Sequence, residues 1–264
     1  GDGGAALSAC SPFLADEDEL VRSEAGNVFC GLAQKGDKKA LSLLLEHLDH
    51  PRTHVKEAIL HMLAQLAEPG NVVVMDAAGP CLHHEEPSVR LAAVALFSAA
   101  LTGDSSSELL LLSQRLEDQD ARVREAVAEV LGRHVRLLSV YALYGVSEHL
   151  GSHDASVRGL AAKLLCGAPS GDIYAVHMAA KFLRAGDEGV ALGAFEVLCS
   201  VLGFPDNLSL GLLRPQLYDG DESERHSALE CAQLMVSESQ TVALADKVRM
   251  ERRGSAARDV GHHG

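Results

Sequence analysis

Apolar side chains recur along this chain at helical spacing, and the same block of positions restarts about every 34 residues. Each block is marked by a Val followed by a basic residue: Val21-Arg22, Val55-Lys56, Val89-Arg90, Val123-Arg124 and Val157-Arg158. Val190-Ala191 and Glu224-Arg225 continue the series, so the intervals are 34, 34, 34, 34, 33 and 34 residues. Four residues after the Val stands a small residue in most blocks (Ala25, Ala93, Ala161, Ala194, Ala228). Seven or eight after it comes a larger apolar one (Val28, Leu63, Leu96, Leu131, Leu165, Leu198). Positions i, i+4, i+7 and i+8 share one face of a helix, so each block predicts an amphipathic helix starting near its Val.

The polar positions keep the same time. Three residues before the Val an acid stands in six of the seven blocks (Asp18, Glu86, Asp120, Asp154, Asp187, Asp221), with Arg52 the exception. There it can cap free N–H groups and oppose the positive end of the helix dipole. Fourteen to sixteen residues after the Val come Gly36-Asp37, Gly70-Asn71, Gly103-Asp104, Gly171-Asp172 and Pro205-Asp206, with Ser139 at the cap position in the block between. Gly ends one helix in left-handed geometry and the next residue caps another. That other helix runs to a phased anchor: Leu14, Leu48, Leu82, Leu116, Leu150, Leu183 and Leu217. Pro12, Pro80 and Pro215 each stand two residues before an anchor, which predicts a kink there.

Each unit is therefore a helical hairpin that cannot bury its apolar face alone and must stack on its neighbours. The phase gives seven hairpins, at 2–35, 36–69, 70–103, 104–137, 138–170, 171–204 and 205–238. A partial eighth follows at 239–253, and a non-periodic tail at 254–264 is expected to be disordered. The expected fold is all-α, a right-handed α-solenoid of stacked antiparallel hairpins without a second globular domain.

Composition narrows the function. Hydrophobic residues are 47% of the chain but aromatics only 4%, with no Trp, so the core must be Leu, Val and Ala. A net charge of −14 argues against nucleic acid, whose binding needs Lys and Arg to displace counterions. No apolar run reaches the roughly 18 residues of a spanning helix, and the N-terminus lacks a signal-peptide pattern. A soluble cytoplasmic protein is expected; Gly1 in place of Met suggests a fragment or processed form. The six cysteines form no C-x-x-C pair, and Cys30, Cys166 and Cys199 share one repeat position, too far apart for a disulfide. They are expected to be reduced core fillers.

The pattern D-x-x-V-R-x-x-A followed by an apolar pair, as in Asp154, Val157, Arg158, Ala161 and Leu164-Leu165, resembles HEAT repeats. The short unit is similar to the HEAT-like type of phycobilisome-lyase-like proteins, and the resemblance covers about residues 2 to 253. It implies a ladder of acid and base along the stack, falling here on Asp18, Asp120, Asp154, Asp187 and Asp221 with Arg22, Lys56, Arg90, Arg124, Arg158 and Arg225. Ala191 should weaken it in the sixth unit. The resemblance also brings in one iron enzyme, deoxyhypusine hydroxylase, which holds two irons with His-Glu dipeptides two and three residues after the Val. The matching pairs here, from Ser23-Glu24 to His226-Ser227, include no His-Glu.

Other candidate chemistry comes from stacking itself. Of the thirteen histidines, His50 and His84 stand one repeat apart, and with His83 and Glu86 they form the candidate metal set. Solvated turn residues are the competing reading. Acids in the turns would align into an edge suited to a basic partner, or serve only as caps and solubilising charge. Residues two, six and nine after the Val should line the concave face, and the candidate partner-facing set is Glu57, His61, Leu91, Glu125, Glu129, Lys163, Glu196, His226 and Glu230. No nucleophile with a base and no phosphate-cradling glycine loop is found. The reading is a non-enzymatic scaffold or adaptor, without cofactor or membrane insertion, whose partner is another protein, one with a basic segment fitting best. Its alternatives are a lyase-like subunit or chromophore chaperone holding a bilin, and a structural segment of a larger protein. Neither end shows a clear polar cap, so joining to further repeats or end-to-end self-association is the expectation for the ends.

Overall fold

A computed structural model describes residues 2–102, 105–137, 139–182 and 187–201. Among these there are twelve α-helices and no strand, and no helix is long and apolar enough to cross a membrane. The helices pair in chain order. α1 (Asp2–Cys10) and α2 (Glu19–Leu32) make the first hairpin, α3 (Lys38–His47) and α4 (Thr53–Leu66) the second, α5 (Val72–Ala78) and α6 (Pro87–Ala100) the third. α7 (Ser106–Ser113) pairs with α8 (Ala121–Arg136), α9 (Val140–Glu148) with α10 (Ala155–Leu165), and α11 (Ile173–Phe182) with α12 (Glu188–Val201). The chain divides into two compact bodies, Gly1–His134 and Val135–Gly264. Each is built from stacked helical hairpins. The seventh hairpin, the partial eighth and the tail lie outside the described residues.

The repeat marker explains the core. In the first body Val55, Val89 and Val123 are fully buried, with Phe29, Leu63, Phe97 and Leu131 eight residues after the Val and the anchors Leu14, Leu48, Leu82 and Leu116 facing them. In the second body Val157, Leu165, Leu198 and Leu150 occupy the same positions and are likewise buried. Burying one such side chain contributes about 1.5–3 kcal/mol, so the stripe outweighs the weak intrinsic helix preference of a short, Val-containing segment.

The turns between hairpins follow the Gly-cap reading. Gly36, Gly70 and Gly171 have φ of 80°, 82° and 78°, the left-handed geometry that a side chain disfavours. Their N–H groups donate to the carbonyls of Leu66, Ala100 and Val201, at 2.7, 2.7 and 2.6 Å, near the end of the second helix of the hairpin that each glycine opens. Carbonyls that a helix end leaves without partners are thus satisfied. The caps follow: Asp37 accepts from Lys39 and Ala40, Asn71 from Val74, Ser139 from Ala142 and Asp172 from Ala175. Gly103-Asp104 lies outside the described residues.

The prolines act differently from the expected kink. Pro12 and Pro80 fall in the first two positions of 3₁₀ segments, Ser11–Ala15 and Gly79–His83, into which α1 and α5 tighten at their ends. Equivalent 3₁₀ segments at Gln114–Glu117 and His149–Gly151 contain no proline. Tightening is therefore a property of the hairpin, and Pro is accepted because an opening helical position needs no N–H from it.

Candidate functional site

The turn inside each hairpin is a repeated polar device. Five residues before the Val, a side chain accepts from the N–H two residues later. Asp16 takes it from Asp18 at 2.9 Å, His50 from Arg52 at 3.2 Å, His84 from Glu86 at 3.1 Å, Asp118 from Asp120 at 2.9 Å and Ser152 from Asp154 at 3.3 Å. The acid three before the Val then caps the helix: Asp18 accepts from Leu20, Asp120 from Arg122, Asp154 from Ser156 and Asp187 from Val190. The arginine after the Val closes the device with Nη1. Arg22 donates to the carbonyls of Asp16 and Glu17, Arg90 to those of His84 and Glu85, Arg124 to those of Asp118 and Gln119, and Arg158 to those of Ser152 and His153, all at 2.7–3.2 Å.

The residues assigned to a ladder thus spend these hydrogen bonds on the turn of their own hairpin. Between hairpins the structure brings together other pairs. Arg90 grips Asp118 with Nε at 2.8 Å and Nη2 at 2.7 Å, a bidentate pair with 10% and 3% of the side chains exposed. Arg52 meets Glu17 at 3.1 Å with Glu17 almost fully exposed. Arg158 reaches toward the start of α12, where a Cβ on Gly189 would stand 2.8 Å from its Nη2 and 3.2 Å from Asp187 Oδ1. The sequence reading counted Asp118 among the turn acids but missed it as a partner of arginine, because it followed the acid at −3. The signal was the second acid at −5, shared with Asp16. Asp221 and Arg225 lie outside the described residues.

The candidate metal set is spread over turns. Nδ1 of His50 and of His84 is the acceptor of the turn bond, and His83 and Glu86 are exposed. Among the described residues no group of three or more His, Cys, Asp or Glu is arranged to hold a metal ion. Burial, then the neighbouring charges of Arg52, His47, His54 and Lys56, holds the His50 imidazole below its usual range. Asp120, held by the Arg122 guanidinium, is lowered to about 2. Cys10, Cys30, Cys81 and Cys166 are free thiols. Among the described residues Cys81 is buried and Cys10, Cys30, Cys166 and Cys199 are half-buried, so Cys81 fits the expected core filler and the other four fit it in part. Burial raises Cys10, Cys30, Cys81 and Cys166 above the ordinary thiol value, which reduces their thiolate fraction.

The candidate partner-facing residues fare differently. A groove of about 500 Å³ runs between α2 and α4, and Ser23, Asn27, Cys30, Glu57 and His61 all line it. Leu14, Gly26, Ala58 and Met62 line it as well, with Glu19 and His54. Met62 packs over Gly26, where a Cβ would make ordinary contact with its Sδ at 3.5 Å. The same face continues on α6 and α8, where Leu91 is half-buried and Glu125 and Glu129 are exposed. Arg133 joins those helices by donating to Ser98 Oγ at 2.7 Å. In the second body Lys163 on α10 and Glu196 on α12 are exposed at equivalent positions. His226 and Glu230 lie outside the described residues.

No family model matches the chain, and no curated protein matches it. Solved structures similar to it include an engineered protein, at 16% identity over 74% of this chain and 96% of that one with a TM-score of 0.47. The archaeal HEAT-like repeats protein of Thermococcus onnurineus is similar at 16% identity over 88% and 97%, with a TM-score of 0.45. Human deoxyhypusine hydroxylase is similar at 17% identity over 90% and 98%, with a TM-score of 0.39. Likenesses of this grade carry no activity, metal or partner over to this chain.

Proposed function

We propose that this protein is a non-enzymatic binding array that holds an extended basic segment of a partner protein along the face of its Val-Arg helices. The groove between α2 and α4 is the observation that supports this most, since the polar side chains of Ser23, Asn27, Glu57 and His61 and the apolar ones of Leu14, Ala58 and Met62 line it together. Glu19 and Glu57 give it negative charge. Its one arginine, Arg22, has Nη1 committed to two carbonyls. Further along the face Glu125 and Glu129 offer carboxylates spaced one helical turn apart. An extended chain with alternating basic side chains would place them against these acids, and its apolar stems against Gly26, Ala58 and Met62.

Fluorescence anisotropy with a labelled peptide of alternating Lys and Arg tests this reading. Binding is expected to weaken as salt rises and to fall at least about tenfold, or ~1.4 kcal/mol, in Glu57→Lys. Binding that ignores both salt and Glu57→Lys would refute the proposal.

A further inference from the structure

The face of the Val-Arg helices changes character from hairpin to hairpin within the first body. Two and six residues after the Val stand Glu57 and His61 on α4, Leu91 and Ala95 on α6, and Glu125 and Glu129 on α8. Helix α4 packs against α6, and α6 meets α8 where Arg133 holds Ser98, so an apolar step separates two acidic ones. Glu57 lines the groove, Ala95, Glu125 and Glu129 are exposed, and Leu91 is half-buried. None of the three carboxylates is in an ion pair among the described residues, so their charge is available to a ligand. Arg133, tied to Ser98 Oγ at 2.7 Å, puts a cation beyond Glu129 and confines basic side chains to these two rows.

The spacing of the helices selects the conformation of the ligand. Packed helices stand about 8–10 Å apart, so the steps from Glu57 to Leu91 and from Leu91 to Glu125 are each of that size. A polyproline-II segment repeats every three residues with a rise of about 3.1 Å each, so side chains on one side of it recur every ~9 Å. The two periods match. A flat β-strand returns to one side every two residues, about 6.6 Å, and falls out of step with the helices after one hairpin. Taking the face of the Val-Arg helices as a peptide track, we infer that the first body selects, within a basic partner segment, the pattern basic-x-x-apolar-x-x-basic in polyproline-II conformation. One basic side chain meets Glu57, the apolar one packs on Leu91 and Ala95, and the other basic one meets Glu125 and Glu129. A basic residue at the centre would lose water against Leu91 without gaining a carboxylate.

Fluorescence anisotropy of the full chain with two series of labelled Ser/Pro peptides tests this. In the first, a central Leu stands between two lysines set four, six or eight residues apart, and a separation of six should bind at least about fivefold tighter than the others. In the second, the separation is six and the centre is Leu or Lys. The parent should prefer Leu. Leu91→Glu, which gives α6 the residue that α4 and α8 carry there, should prefer Lys and change the ratio of the two affinities at least about tenfold. Ala95→Glu, at an exposed position, should move the ratio the same way, and Lys38→Glu on α3 should leave it unchanged. Circular dichroism checks that each variant keeps the helix content of the parent. Equal binding at all three separations, a ratio that neither α6 variant moves, or one that Lys38→Glu moves as far would overturn the inference. The alternating Lys and Arg peptide separates this from the groove itself. If it binds with the expected dependence on salt and Glu57 while the spaced peptides are indistinguishable, the pattern alone is refuted; if no peptide of either kind binds, both readings are.

Discussion

Arg90 and Arg124 occupy the same repeat position yet stand in different electrostatic settings. Both hold two turn carbonyls, but Arg90 also neutralises a buried carboxylate. Removing it leaves the buried Asp118 carboxylate with Arg115, 3.9 Å away, as its remaining charge partner, so Arg90→Ala is expected to cost ~3 kcal/mol. Arg124→Ala should cost ~1–3 kcal/mol, and exposed Lys38→Ala almost nothing, as read from urea midpoints. His50 carries a different prediction. Its Nδ1 must be unprotonated to accept from Arg52, and its folded value is lowered. The unfolded chain then binds the proton more readily, so this contribution is full above about pH 6.5 and fades as pH falls through the folded value. His50→Asn keeps an acceptor, as Asp16 and Asp118 do, and should flatten that part of the stability–pH curve. An unchanged slope would place the dependence elsewhere.

The hairpin was legible at the level of elements because its signals are local. Glycine before Asp, an acid before the Val helix, and apolar spacing each act within a few residues, and the caps at Asp37, Asn71 and Asp172 form where they were read. The 3₁₀ ends were not legible, since Gln114–Glu117 and His149–Gly151 tighten without proline. The partner of Asp118 was hidden for another reason. It lies 28 residues away on the preceding hairpin, and only stacking brings the two together. Two glycines separate backbone from contact in a testable way. Gly36 and Gly171 share positive φ, but a Cβ would strike the Glu68 carboxyl group at 2.7 Å in the first and nothing within 4 Å in the second. Gly171→Ala should cost ~1–2 kcal/mol from the backbone alone. Gly36→Ala should cost as much, plus whatever Glu68 loses by moving, so thermal melts should place it at or below Gly171→Ala in stability.

For the molecule as a whole, the sequence marks a repeating face but not which part of it is shaped to bind. Glu57 and His61 were readable as outward positions from their spacing after Val55. That they enclose a groove with Ser23 and Asn27 depends on how α4 packs against α2, a fact that periodicity alone does not carry. The central claim is that this face, and not the opposite side formed by α1, α3 and α5, holds a basic segment. A Lys/Arg peptide bearing a photoreactive side chain, crosslinked to the intact chain and mapped by mass spectrometry, tests it most directly. The account predicts adducts on α2 and α4, between Ser23 and Cys30 and between Glu57 and Gln65, that unlabelled peptide competes away. Competable adducts confined to α1, α3 and α5 would contradict it.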